Sequence, residues 1–412
     1  MEWLEFGLRA AMQRDARSLL ERLLNDPSLS MPNDHSMDGE RCYRDRAKVI
    51  ETLFGSVEIG RNYYHDTTEA EGRFPLDDAL GLIEGYSPAL ARLMCRSGGQ
   101  SPFEAASGDL LAYGGIKVEG RAIQRMVNSV APDVRKTLEA ETVQPGAPDV
   151  NVLYVSGDGT GIPMMKKEIE GVVGKQPDGS AKTREVKLGC VFTQSSVDEE
   201  GRPMRDPDSS SYVATIANAV EFGALLRKEA FRRNMASALK VVFLGDGAAW
   251  VWELARVNFP GAVHILDFFH AADHLGELCD ALFGKDTQQS KSQCEIWRTC
   301  LKEDGIDEVI AMAQGALPRN GPRRKEAKKQ IAYFQKNRDR MLYATFRAAG
   351  YFIGSGVVEA GCRTVVGQRL KQSGMFWSSG GAQNVLALRT SILSNRFDAY
   401  WNQRNDSLAE AA

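Results

Sequence analysis

Twice in this chain a short apolar run stops on an aspartate held between two glycines, and that repeat constrains the fold more than any other feature. Lys240-Val-Val-Phe-Leu runs into Gly245-Asp246-Gly247 before a helical pattern opens at Ala248-Ala-Trp. Val152-Leu-Tyr-Val-Ser likewise runs into Gly157-Asp158-Gly159. Parallel strands of an open sheet finish at one edge, and ligands sit in the crevice beyond their carboxyl ends, so the two aspartates are expected to converge on one cation. The flanking glycines are expected to let the backbone turn sharply and to leave both carboxylates uncrowded.

The 412 residues suffice for two or three domains. With 43% hydrophobic and 25% charged residues, the composition is that of a globular protein. No apolar run reaches membrane-spanning length and the first residues lack a signal-peptide pattern, so the expected setting is cytoplasmic, away from membranes. The seven cysteines form no Cys-x-x-Cys pair, which fits free thiols and argues against a zinc site. A net charge of −3 is not what a dedicated nucleic-acid binder predicts, but the distribution of charge says more than its sum. Ten Lys/Arg lie between Arg319 and Arg347 against Glu326 and Asp339, and no acidic residue occurs from Ala360 to Phe397. That basic C-terminal third suits a polyanion partner, or else a solvated helix face.

Residues 2 to 24 have helical spacing and mixed charge, as on a surface or oligomerisation helix, and make up with the following loop a first segment, 1–44. The segment 45–140 reads as a small hairpin over Val49 to Tyr64 followed by helices. Its last two helices, Ser101 to Tyr113 and Glu119 to about Val130, flank Gly114-Gly115 and have a helix-turn-helix outline, with the second ended by Pro132. Arg121, Gln124, Arg125 and Asn128 are then available to a DNA groove; two packed helices without that role share the outline. A Pro/Gly linker spans 141–150. Strands over 151–157, 184–194, 240–245 and 262–267 interleave with helices over 212–233 and 249–259, so 151–270 is expected to be an α/β unit. Helical patterning alone fills 271–349, and 350–396 brings a further helix before a tail, 397–412.

That further helix carries a third carboxylate. From Gly354-Ser-Gly onward, a period of 100° per residue places Val358, Cys362, Val365, Val366 and Leu370 on one apolar arc with Glu359 inside it. A carboxylate aimed at a core needs a partner, which is either Arg363 one turn on or a metal. Asp158, Asp246 and Glu359 together form a hard oxygen set suited to Mg²⁺ or Mn²⁺, and two such ions can activate one oxygen and steady another in phosphodiester chemistry.

Gly157-Asp-Gly-Thr-Gly-Ile-Pro, Leu244-Gly-Asp-Gly-Ala-Ala-Trp-Val-Trp, Asp267-Phe-Phe-His-Ala and Gly354-Ser-Gly-Val-Val-Glu-Ala-Gly-Cys-Arg resemble motifs of bacterial insertion-sequence DDE transposases of the ISKra type. Gly367-Gln-Arg-Leu-Lys-Gln-Ser-Gly-Met-Phe-Trp-Ser and Gly381-Ala-Gln-Asn-Val-Leu-Ala-Leu-Arg extend the resemblance over most of residues 45 to 396. It implies an RNase H-like catalytic domain, a mixed sheet flanked by helices and interrupted by an all-helical insertion, behind a mostly helical DNA-binding region. It also implies that Asp158, Asp246 and Glu359 are the catalytic, metal-binding triad for strand cleavage and strand transfer. The substrate would be the terminal inverted repeats and target DNA, handled by a homodimer or larger assembly on nucleoid-associated DNA. Asp267 and His270 match an Asp/Cys-x-x-His signature of related enzymes and become auxiliary residues, with a helix cap at Asp267 as the plainer reading. Arg363, Arg369, Lys371, Trp377 and Arg389 are the further expected DNA contacts, Trp377 by stacking or else as core. Where many relatives carry a Cys-x-x-Cys pair, Asp66 and Glu69 stand here, which leaves end recognition to the helix-turn-helix and no zinc. Two other outcomes share the same residues: a catalytically inactive DNA-binding relative, and an RNase H-like nuclease without strand transfer.

Overall fold

In a computed structural model of the chain, residues 1–26, 28, 34–66, 72–140 and 150–411 are described. The expected linker at 141–149 and Glu69 lie outside them. The chain divides into two compact units, one of Met1–Leu138 with Gly380–Ala412 and one of Glu139–Ser379.

The first unit opens with α1 (Glu2–Leu24), then the antiparallel pair β1 (Glu40–Thr52) and β2 (Gly55–Asp66), edged by β3 (Gly72–Arg73). The hairpin is far longer than the Val49 to Tyr64 expected. Its outer half, Glu40-Arg-Cys-Tyr-Arg-Asp-Arg, is exposed on both faces and carries no alternation to read. Near the turn, Ile50, Val57, Ile59 and Leu76 form a small core against which Leu20 and Leu24 of α1 pack. α2 (Pro75–Ala79) and α3 (Pro88–Gln100) follow. α4 (Phe103–Gly114) ends on Gly115 at φ +67°, and α5 (Gly120–Ala140) begins five residues later, so the helix-turn-helix outline is present. Arg121, Gln124, Arg125 and Asn128 are exposed on α5.

Pro132 does not end α5, which continues to Ala140. A proline inside a helix costs about 3 kcal/mol, mainly in a lost bond to the preceding turn. Pro132 is exposed, so water can serve the freed carbonyl, and the buried face of Ile123, Met126, Val127, Val130, Ala131 and Val134 passes on either side of it.

The second unit is built on a five-stranded mixed sheet. β4 (Val152–Pro163) and β5 (Thr183–Gln194) are antiparallel; the short pair β6 (Ser196–Val197) and β7 (Pro203–Met204) follows. β8 (Ser211–Thr215) adds antiparallel to β5. Residues 212–215 were expected in a helix but form this strand, because Tyr-Val-Ala-Thr pairs with Lys187 to Cys190 and the helix is delayed until Asn218 caps it. After α6 (Ala219–Arg232) come β9 (Lys240–Gly245), α7 (Ala249–Asn258) and β10 (Val263–Leu266), the two strands parallel to one another and β9 parallel to β4. The order across the sheet is β10-β9-β4-β5-β8, with Leu153, Tyr154, Val155, Leu188, Phe243 and Ile265 fully buried.

Five helices then run in succession: α8 (Phe268–Phe283), α9 (Gln288–Lys302), α10 (Ile306–Gly315), α11 (Pro322–Asn337) and α12 (Tyr343–Ala348). The chain returns to the sheet at Gly350, whose carbonyl accepts from Gln194 Nε2 at 2.9 Å, and Phe352 N donates to the Tyr154 hydroxyl at 3.2 Å. α13 (Gly356–Gly361) passes into a π-helical turn (Cys362–Gly367) and α14 (Gln368–Leu370). α15 (Ser379–Leu393) and α16 (Phe397–Ala411) close the chain, and residues from Gly380 onward belong to the first unit. Among the described residues no helix is long and apolar enough to cross a membrane.

Candidate active site

Asp158 and Asp246 come together because of where two neighbouring parallel strands lose each other. Pairing of β4 with β9 stops at Ser156 and Leu244, so Asp158 lies just beyond the last shared rung and Asp246 follows the end of β9. The two Gly-Asp-Gly segments nevertheless differ. Gly247 has φ +94° and turns the chain into α7, and Asp246 Oδ1 accepts from Ala248 N at 3.0 Å. Gly157-Asp158-Gly159 makes no turn: β4 runs straight through it to Pro163, held by β5, with Asp158 opposite Leu188. A Cβ on Gly159 would meet the end of the Glu185 side chain, whereas one on Gly157 would make ordinary contact with Phe222.

The third strand end supplies Asp267. Its backbone N donates to Gly245 O at 2.8 Å, which ties the start of α8 to the end of β9. The side chain is fully buried and caps α8, accepting from His270 N at 2.7 Å; it also accepts from Ser355 N. Burial works against its charge, but the hydrogen bonds from His270 and Ser355 outweigh burial and hold the carboxyl below its ordinary value. The imidazole of His270 lies over the same carboxylate, Nδ1 to Oδ1 at 3.5 Å. Its pKa is pushed up to about 9 by that bond foremost, against an opposing effect of burial, with the charges of Asp267, Asp246 and Glu359 adding to the rise.

Glu359 reaches the same imidazole from α13. Phe268 N donates to Ile353 O at 2.9 Å, fastening this segment to α8, and Ser355 Oγ donates to Glu359 Oε1 at 2.9 Å. The carboxylate is exposed and does not sit inside the expected apolar arc. The buried residues of α13 are Val358 and Gly361, and the π turn from Cys362 breaks the 100° phase on which the arc depended. The Cys362 thiol, from that π turn, faces Asp158 and acts on it as a donor. Burial pushes Asp158 upward, the Cys362 and Gly159 hydrogen bonds oppose it, and the Asp246 charge adds to the rise.

The charges of Asp158, Asp246, Asp267 and Glu359 thus all bear on one imidazole. The tightest donor group among the described residues is Asp267, His270 and Glu359, whose ligand atoms lie within 4.8 Å of one another, rather than the three carboxylates singled out from sequence. Four carboxylates against one imidazolium leave an excess of negative charge beside a partly desolvated aspartate, and the carboxylate oxygens fit a hard divalent cation. Sequence reasoning missed Ser355, Cys362 and Tyr333. The Tyr333 hydroxyl, on α11, lies 3.5 Å from Asp246 O, and its ring stacks on His274 with centroids 3.8 Å apart. His274 is therefore packed and hydrogen-bonded to Gln330 at 2.8 Å.

The expected DNA contacts divide by burial. Arg121, Gln124, Arg125, Arg363 and Lys371 are exposed, Lys371 against the Thr160 hydroxyl. Arg369, Arg389 and Trp377 are corrections: all three are interior. Arg369 is 1% exposed and stacks on Trp377, and Trp377 donates Nε1 to Leu370 O at 3.0 Å while its backbone bridges to Pro163 and Met165. Arg389 is 5% exposed and donates to Gly99 O at 3.3 Å. Trp377 follows the packing preference of large aromatics, and its neighbour Phe376 is the exposed ring.

No protein-family model matches the chain. A relative described as a UPF0236 protein in the vanSb 3' region of Streptococcus gallolyticus is 24% identical over 418 residues, covering 97% of this chain and 84% of the relative. Among solved structures, a Drosophila P element transposase strand transfer complex is matched with a TM-score of 0.28 and 10% identity, over 75% of this chain and 79% of that one.

Proposed function

We propose that this chain is a DNA transposase of an insertion sequence, cutting and joining DNA at a divalent-metal site built from Asp158, Asp246 and Glu359. The observation that carries the reading is that β4 and β9, paired in parallel up to Ser156 and Leu244, bring Asp158 and Asp246 to one end of the mixed sheet, while Glu359 holds a ligand atom within 4.8 Å of those of Asp267 and His270. The mixed five-stranded sheet and the run from α8 to α12 support an RNase H-like domain with a helical insertion ahead of the glutamate helix, as the sequence resemblance implies.

On this reading oxygens of Asp158, Asp246 and Glu359 would hold Mg²⁺, or Mn²⁺, which would supply Lewis acidity toward a water or a DNA 3′-hydroxyl and toward the leaving oxygen. The protein supplies the placement. β4 and β9 fix the two aspartates, Ser355 orients Glu359, and Cys362 donates to Asp158. Asp267 holds Nδ1 of His270, which leaves Nε2 as the nitrogen for a phosphate oxygen. Arg363 and Lys371, exposed beside these elements, suit the flanking phosphates.

The test is cleavage of end DNA by the purified full chain with Mg²⁺, alongside Asp158→Asn, Asp246→Asn and Glu359→Gln. Each variant should lose cleavage while binding end DNA as the parent does. Cleavage retained in any variant removes that residue from the site, and cleavage by the parent without joined target product leaves a nuclease in place of a transposase.

A further inference from the structure

α1 leaves an apolar stripe uncovered. One face of it, through Leu20 and Leu24, packs on the hairpin core, and Arg9 and Gln13 donate to the carbonyls of Tyr113 at 3.1 Å and Gly114 at 2.7 Å. A second face, about a quarter-turn round, presents Leu4, Leu8, Met12, Leu19 and Leu23, each more than half exposed. Beside it a groove of about 460 Å³ is lined by Leu8, Met12, Ala16 and Phe54. Scattered exposed leucines need no explanation, but a continuous stripe along a helix of 23 residues does.

The stripe has its own symmetry. With Asp15 it occupies positions 4, 8, 12, 15, 19 and 23, spaced by 4, 4, 3, 4 and 4 residues, a sequence that reads the same in both directions. Laid antiparallel on a copy of itself, such a stripe brings Leu4 level with Leu23, Leu8 with Leu19, and Met12 with Asp15. A two-fold interface requires that self-complementarity, since whatever residue i meets must meet residue i in return. Charge selects the direction. Parallel pairing sets Asp15 against Asp15 and the acidic first turn, Glu2 and Glu5, against its own copy; antiparallel pairing brings Glu5 level with Arg22 and opposes the helix dipoles. The spacing repeats every 11 residues, which suits nearly straight helices.

We infer that α1 is a dimerisation element that pairs antiparallel with α1 of a second copy, Leu8 level with Leu19, without DNA. This pairing is independent of the carboxylate site. Nuclease-treated full chain in high salt should sediment at twice the monomer mass at micromolar concentration, and Leu8→Glu/Leu19→Glu should sediment as a folded monomer. Orientation is read by cross-linking in a Cys42→Ser background, which removes an exposed native thiol. Leu8→Cys chains mixed with Leu19→Cys chains should cross-link, and neither alone should. Cross-links within each variant alone mean a parallel pair and overturn the proposal. So does a monomeric parent chain, or a monomer whose stripe is shielded from hydrogen exchange by its own residues.

Discussion

Cys362 illustrates how much of the site depends on single side chains to which the sequence assigns no role. Burial foremost, then the Asp158 charge and hydrogen bond, push its thiol far above the ordinary value, so it stays protonated and donates to Asp158 throughout the working pH range. Two consequences are measurable. The thiol should resist alkylation at pH 8 in the folded chain, while exposed Cys42 reacts. Cys362→Ser keeps a donor and should keep cleavage, whereas Cys362→Ala leaves Asp158 short of one bond and should slow cleavage about tenfold, the equivalent of one hydrogen bond to a charged group. Equal rates for the alanine and serine variants would remove that bond from the account. Cys362 lies inside the Gly354 to Arg363 motif, but periodicity puts it on the apolar arc, because its role depends on a π turn that a 100° period does not register. Asp158 and Asp246 were legible for the opposite reason: buried strands read as unbroken apolar runs, and a charged residue where such a run ends stands out.

At the scale of elements, Gly361 within α13 and Gly159 within β4 make contrasting demands. A Cβ on Gly361 would approach Tyr212 at 2.8 Å and Leu188 at 3.1 Å, so α13 lies as close to the sheet as a helix can. Gly361→Ala gains about 1 kcal/mol of helix propensity but forces overpacking that costs about 1 to 3 kcal/mol. The expected result is a lower Tm together with lost cleavage, since Glu359 rides on the same turn. Gly159→Ala collides only with the end of Glu185, a half-exposed side chain that can swing away, and should leave Tm within about 0.5 kcal/mol equivalent of the parent. A Tm loss at Gly159 equal to that at Gly361 would show that β4 cannot relax there. The same scale holds the least legible part of the fold. The outer half of β1 is exposed on both faces, so neither alternation nor burial marks it, and cross-strand pairing with β2 and the tie of Glu40 to Arg73 at 2.7 Å hold it. The hydrogen bond from Arg73 depresses Glu40 from 4.5 to about 2. A depressed carboxyl stabilises above its unfolded pKa and loses that contribution as pH falls through the folded one, so hydrogen exchange at the Glu40 end should quicken between about pH 4.5 and 2. Glu40→Gln should flatten that dependence.

For the whole molecule, the net charge of −3 conceals a run of cations that the folded chain partly spends on itself. Of the basic residues from Arg319 to Arg347, Arg323 and Arg324 bond backbone carbonyls, and Lys329, Arg338 and Arg347 pair with Glu326, Asp307 and Glu303. Composition alone overstates this patch, because it cannot tell a cation bound to a helix end from one facing water. Arg319, Lys325, Lys328 and Lys336 remain exposed. If this face clamps DNA, each phosphate it neutralises releases a counterion, and the logarithm of affinity falls with the logarithm of salt at about −0.9 per contact. Lys325→Gln/Lys328→Gln/Lys336→Gln should therefore flatten the slope by about 2 to 3, with affinity lost almost equally for end DNA and unrelated duplex. Circular dichroism should not change, since none of the three side chains is buried. An unchanged slope would place the DNA on another face, and a loss confined to end DNA would make these lysines sequence readers in place of a phosphate clamp.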